Sequence, residues 1–247
     1  MPQPIRDVAL VTNPSAGRGR AAAVRNAALP VLAAAGWNVR RLDARDRSEA
    51  EDLAAKAVAD GVDALLVCGG DGMVNLGFQL VAGTTLPLGV LPAGRHDDLA
   101  RTIGLPRGDG AAAARRLTNG RPQRLDLGRS GDRWFATVLT PFGSLRQTRR
   151  LPYVLTLDGE ERMVEATMVA IANTPTFAGG KPIAPRALVD DGLLDVVIIR
   201  SIGRWELVQV RKVTVAAPGV VAHADGGRFG ALPLTIECVP AAAWVIA

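Results

Sequence analysis

Apolar positions in the first half of the chain come in short runs separated by segments of helical composition. Residues 7–12 (Asp-Val-Ala-Leu-Val-Thr) form one such run, ended by Asn13-Pro14-Ser15-Ala16-Gly17-Arg18-Gly19. An Ala-rich stretch, 20–35, stops at Gly36. Trp37 to Leu42 reads as a second strand, and 48–60 as a helix with Ser48 as its N-cap. Asp63–Cys68 is a third strand, Met73–Val81 a helix and Leu86–Leu91 a fourth strand. A helix over 96–103 follows the break at Pro92-Ala93-Gly94. This β-α-β-α-β-α-β-α alternation predicts a parallel sheet covered on both faces. Ligands of such sheets sit beyond the carboxyl ends of the strands. The three Gly-rich turns, near 13–19, 69–72 and 92–94, all fall on that edge.

The texture changes after residue 122. Short strand-like runs dominate, at 125–129, 134–140, 153–157, 164–172, 193–200, 213–216, 233–238 and 243–246, with turns such as Asp158-Gly159 and Asp191-Gly192 between them. Ala111–Gly120 reads as a connecting helix. The expected fold is α/β plus β: a doubly wound parallel sheet over 1–122, then a mostly antiparallel β-sandwich over 123–247, whose last strands are free to return toward the cleft.

Composition narrows the function classes. A chain of 247 residues can bury a large core in one or two domains, and 48% hydrophobic with 21% charged residues excludes a disordered chain. No apolar run reaches the length of a bilayer span, and Met1 to Arg6 lacks a leader's apolar core, so a cytoplasmic protein is expected. Cys68 and Cys238 are too few for a disulfide framework. They make a zinc centre only if they converge with both histidines, His96 and His223. The net charge of +5 rests on scattered arginines, and an aromatic content of 4% leaves few stacking platforms for nucleic acid. Small anionic substrates or lipid headgroups, with at most peripheral membrane contact, are the expected partners. Trp37, Trp134, Trp205 and Trp244 are expected in the core. Arg146, Arg149 and Arg150 read either as a solvated loop or as an approach for an anion.

The segment richest in chemistry is Gly69-Gly70-Asp71-Gly72-Met73, which closes a strand and opens a helix. Glycines let backbone amides approach an anion, and the helix N-terminus adds positive partial charge. Asp71 is placed to hold a metal or take a proton. A tight βα turn without a ligand is the alternative reading.

Several motifs in order resemble the bacterial diacylglycerol kinase-like lipid kinases, a superfamily that includes sphingosine kinases and, more distantly, NAD kinases. Asn13-Pro14-Ser15-Ala16-Gly17 is similar to the family's first nucleotide loop, Gly69-Gly70-Asp71-Gly72 to its GGDGT loop, and Pro92-Ala93-Gly94 to the start of its PAGTGNDFAR segment. Ala172-Asn173, Phe177-Ala178-Gly179-Gly180, Ile183-Ala184-Pro185 and Asp190-Asp191-Gly192-Leu193-Leu194-Asp195 resemble its β-domain signature. The resemblance implies ATP, Mg²⁺ and phosphoryl transfer to a lipid hydroxyl. It implies nucleotide contacts at Asn13, Ser15, Gly17, Gly69, Gly70, Gly72, Met73, Gly94 and Arg95. It also implies a structural metal at Leu188, Asp191 and Leu193, two of them through backbone carbonyls, where a plain type I turn is the alternative. A homodimer through the β domains is a further expectation from the relatives.

The chain departs from that pattern at five places. Met73 replaces the threonine of GGDGT, Leu76 stands where the family has Glu, and Arg95-His96-Asp97-Asp98 replaces Thr-Gly-Asn-Asp. Asp225-Gly226-Gly227 has Gly where the family's Asp-Gly-Glu supplies a carboxylate, and only Gly143 to Pro152 bridges segments that a helical stretch separates in relatives. Three functional readings follow. In a retained kinase, Asp71 holds Mg²⁺ or acts as base, and His96 or Asp225 replaces the missing carboxylate. In an ATP-independent enzyme on the same fold, His96 with Asp97, Asp98 and Asp71 performs acid/base chemistry (cyclisation, elimination or isomerisation) on a small natural-product-like metabolite. In a non-catalytic binding protein, the cleft takes a ligand and Asp71 does nothing to it.

Overall fold

Four neighbouring parallel strands form one end of a larger sheet, in the order β2-β1-β3-β4: β1 (Asp7–Thr12), β2 (Asn38–Asp43), β3 (Ala64–Gly69) and β4 (Leu88–Pro92). Every residue of β3 and β4 is buried, as a parallel strand covered on both faces requires. The structure, a computed structural model, describes residues 5–13, 19–141, 150–201 and 203–247. These divide into two units, one running to Arg124 and including Ala242–Ala247, the other Leu125–Ala241. The boundary thus falls at Arg124, and the last six residues belong to the first unit; there Val245 pairs parallel with Leu88 of β4.

In the first unit α1 (Arg20–Ala34) covers one face of the sheet. Ala21, Val24, Ala28 and Leu32 pack on Val8, Leu10, Leu66 and Cys68. The short helix α2 (Arg47–Ala59) starts one residue before the expected position. Asp46, rather than Ser48, is its N-cap, accepting from the Glu49 amide at 2.9 Å. The helix α3 (Asp71–Val81) lies close on β3 and β4, since a Cβ on Gly77 would meet Leu88 and Val67. The expected helix over 96–103 shortens to α4 (Asp98–Thr102) because Asp97 adopts a left-handed backbone, φ 51°, that a helix cannot contain. The last helix, α5 (Gly110–Asn119), joins α1 through Ala113, Ala114 and Leu117.

The second unit is a sandwich of antiparallel strands. One sheet contains Arg204–Val210, Leu194–Ser201, Met168–Ala172, Val138–Pro141, Val221–Ala224 and Gly227–Ala231, in that order. Facing it are Lys212–Ala216, Leu151–Leu157 and Glu160–Ala166, with Lys212–Ala216 paired to the strand Leu234–Ile246. Tyr153, Leu155, Val213 and Ile236 from one side meet Leu139, Ile171, Val196 and Ile198 from the other. The run expected over 164–172 is two strands, broken at Thr167, and the two expected near the C-terminus are one continuous strand.

Candidate active site

The register of β3 and β4 determines what happens beyond them. Gly69 pairs with Pro92, and the Ala93 amide donates to the Gly69 carbonyl at 2.9 Å, so both loops leave the sheet side by side. They touch backbone to backbone. A Cβ on Gly70 would sit 3.0 Å from the Gly94 Cα, and a Cβ on Gly94 would overlap Gly70 outright. Only glycine fits this contact, which is what a backbone cradle for an anion needs.

Asp71 is the first residue of α3 and is half-buried. Its Oδ1 accepts from the Asp98 amide at 2.8 Å, tying the mouth of α3 to the first turn of α4. Asp97 is buried, and its Oδ1 accepts from the Gly94 amide at 2.9 Å. Burial pushes the Asp97 carboxyl above its ordinary value; the Gly94 hydrogen bond and the charges of Arg107 and Arg20 offset part of that. Asp97 therefore braces the loop under Gly94. His96 between them is half-buried, and Arg95 is exposed.

Met73 contributes no polar group. Its side chain is buried over Gly69, where a Cβ would come within 2.9 Å of the Met73 Cβ, and its amide donates to the Gly70 carbonyl at 2.8 Å. Leu76 is fully buried in the same helix. Asn13 lies at the carboxyl end of β1 on the same edge, while Ser15, Gly17, Arg146 and Arg149 lie outside the described residues.

Three cations that the motif reading did not combine converge beside this loop pair. Arg20, Arg95 and Arg107 line a cavity of about 250 Å³ with Gly94, Asp97 and Gly108. Arg20 also donates to the Gly94 carbonyl at 2.8 Å. On the other side Arg47 donates to the Gly72 carbonyl at 3.0 Å and reaches Asn75 Oδ1 at 3.4 Å, fixing α3 to α2. The sequence signal for Arg107 is the turn Pro106-Arg107-Gly108 just before α5.

The remaining sequence candidates belong to the second unit. Asp225, buried and left-handed at φ 46°, accepts from the amides of Ala136 (2.9 Å) and Thr137 (3.0 Å) and from Thr137 Oγ1 (2.5 Å). Its carboxylate anchors the Ala136–Thr137 bend to the turn after Val221–Ala224. Leu188 and Asp191 are exposed on the loop before Leu194–Ser201, and Asp191 Oδ1 accepts from the Leu193 amide at 3.0 Å, closing a local Asx turn. Beneath it, Asp126 accepts from the amides of Gly192 and Ala241, both at 2.6 Å. Asp126 was legible as one carboxylate inside the apolar run Leu125-Asp126-Leu127. Asp195 is buried with its Oδ1 unpartnered; burial and the Asp191 charge push its carboxyl up to about 6. Among the described residues no three His, Cys, Asp or Glu side chains converge as a metal cluster. Both cysteines are buried and free, their thiols pushed up to about 12 by burial.

The profile of the diacylglycerol kinase catalytic domain matches residues 7–130, and that of the YegS C-terminal NAD kinase beta sandwich-like domain matches 121–210. A diacylglycerol kinase of Mycobacterium tuberculosis is 34% identical, covering 98% of this chain and 95% of its own length. That alignment spans 294 positions against 247 residues here, so the relative carries additional residues. Among solved structures, a diacylglycerol kinase from Bacillus anthracis shares the fold with TM-score 0.86 at 23% identity, covering 99% of this chain and 98% of that one. An NAD kinase from Archaeoglobus fulgidus in complex with ATP shares it with TM-score 0.63 at 17% identity, over 98% and 93%. With its glycine-paired loops, its catalytic-domain match and a relative of this identity over nearly its full length, the chain belongs to the diacylglycerol kinase catalytic-domain family.

Proposed function

We propose that the protein transfers the γ-phosphoryl group of ATP to a hydroxyl of a diacylglycerol-like lipid. The observation that carries this is the backbone contact of Gly70 with Gly94 beside the half-buried Asp71, a meeting of two glycine-rich strand ends too close for any side chain. Mg²⁺ in phosphotransfer sites is held by one or two carboxylates together with phosphate oxygens, so the absence of a three-carboxylate cluster among the described residues does not oppose it. Asp71 is the residue that would hold it; bound there, Mg²⁺ would offset charge on the transferred group.

The remaining work falls to the chain. The positive end of α3 orients the phosphates, as helix N-termini favour anions. Arg95 and Arg107, with Arg20, hold phosphate oxygens and stand in for the hydroxyl that Met73 lacks. The acceptor oxygen bonds to phosphorus as the β–γ bridging bond breaks, and ADP leaves. His96 takes the acceptor proton, because Asp225 is already engaged by three donors. The acid/base reading without ATP groups His96 with Asp97, Asp98 and Asp71; of these Asp97 braces Gly94, and Asp71 accepts from the Asp98 amide.

The test is transfer of label from γ-labelled ATP to diacylglycerol in mixed micelles. Labelled phosphatidic acid is expected, dependent on Mg²⁺ and reduced about 100-fold or more by His96→Ala. Absence of label on diacylglycerol and on a panel of hydroxylated lipids contradicts the proposal.

A further inference from the structure

The two sides of the Gly70–Gly94 contact offer an anion different things. A Cβ on Gly77 of α3 would meet Val67 and Leu88, whereas one on Gly89 of β4 would meet Leu66 and Leu117 of α5. Successive residues of a strand face opposite sides of the sheet, so α3 lies on one face and α5 on the other. The helix α1 packs on the same face as α5. Asp71 and Arg47 therefore stand on the α3 side of the glycine pair. The recess that holds Arg20, Arg95 and Arg107 opens on the α1–α5 side, where Val24 of α1 and Gly108, just before α5, complete its wall.

On that side the Gly94 backbone is already engaged. Its amide donates to Asp97 Oδ1, and its carbonyl accepts from Arg20 Nη2. Recognition there falls to guanidinium groups, whose forked donors match phosphate oxygens. Arg95 and Arg107 are exposed and form no ion pair among the described residues. Asp97 is the one carboxylate on the wall, so three guanidinium groups leave the recess with a clear excess of positive charge. At about 250 Å³ it has room for two linked phosphate groups.

We propose that this recess seats the diphosphate part of the donor, the part that leaves in ADP, while the transferred phosphoryl group lies across the glycine pair beside Asp71. The phosphate chain passes over Gly70 and Gly94, where neither residue carries a side chain to block it. The inference rests on the phosphotransfer reading and adds to it a subsite for which ADP and inorganic pyrophosphate compete.

The experiment is calorimetric titration of the full chain, in chelator, with inorganic pyrophosphate, ADP, AMP and sulfate. Pyrophosphate and ADP should bind and displace one another, with AMP and sulfate weaker by about ten-fold or more. Arg107→Ala should weaken pyrophosphate and ADP alike by about ten-fold. Arg107→Lys should weaken them less, because an ammonium keeps the charge but not the forked donors. Arg47→Ala removes a cation from the α3 side and should change neither affinity by more than about two-fold. Thermal melts check that each variant keeps the fold. No pyrophosphate binding at millimolar concentration, or binding that Arg107→Ala leaves intact, overturns the proposal. Equal affinity for sulfate overturns it too, since the recess would then be a general anion site. Label transfer from ATP on the same preparation separates the two readings. Transfer without pyrophosphate binding sinks this subsite alone, whereas pyrophosphate binding without transfer sinks the phosphotransfer reading and the donor assignment with it.

Discussion

Gly70 and Gly94 touch across two loops that the register of Gly69 with Pro92 carries out of the sheet together. A methyl group at 94 would overlap both the Gly70 backbone and the Asp97 carboxylate, whereas one at 70 meets Gly94 at 3.0 Å and Asp97 Oδ1 only at 3.8 Å. Gly94→Ala is therefore expected to cost about 1–3 kcal/mol of stability and Gly70→Ala less, since forced overpacking has that order of magnitude. Denaturant unfolding of the two variants checks this; equal midpoints would contradict the contact.

Asp225 separates a structural role from a catalytic one. Three donors converge on its carboxylate in a buried bend. Asp225→Ala leaves those groups unsatisfied and should destabilise the fold by about 2–4 kcal/mol. Below its unfolding temperature the folded variant should keep most of its turnover. A variant of wild-type stability with turnover reduced by two orders of magnitude would return Asp225 to the chemistry.

Asp195 makes stability depend on pH. Its carboxyl is pushed up to about 6, above the ordinary carboxylate range, because burial and the Asp191 charge disfavour the ionised form. A group raised on folding contributes stability that is complete below the lower value and lost as pH rises through the upper one. Asp195→Asn should thus be more stable than the wild type at pH 7, by about 1–2 kcal/mol, with the difference shrinking toward pH 4. Thermal melts across that window in chelator decide it, and a difference independent of pH would contradict the assignment.

The site's frame was legible because its signals are local. An apolar run that stops at Gly69-Gly70-Asp71-Gly72, or at Pro92-Ala93-Gly94, announces a strand end and a backbone approach without any tertiary information. Side-chain direction was not legible. Asp97 reads equally as a first-turn helix residue and as a reactive acid, and only its left-handed backbone turns it into a brace for Gly94. Met73 occupies a nucleotide-loop position by spacing, but an unbranched apolar side chain folds back over Gly69. Trp205, expected in the core yet 59% exposed, lies in an alternating strand whose outer face could have been covered or bare, a property of the segment 183–187 that packs elsewhere on it. The arginine-lined cavity draws on Arg20, Arg95 and Arg107 from three separate turns, which no single motif spans.

The proposed phosphotransfer requires this loop pair to hold a nucleotide despite Met73, Arg95 and His96. Calorimetric titration of the chain with ATP and Mg²⁺ tests it most directly, with Asp71→Asn and an Arg95→Ala, Arg107→Ala double variant alongside. Micromolar binding is expected, weakened about ten-fold or more by either change, as loss of charge-assisted contacts predicts. Absence of binding at millimolar nucleotide, or binding indifferent to both changes, would contradict the account.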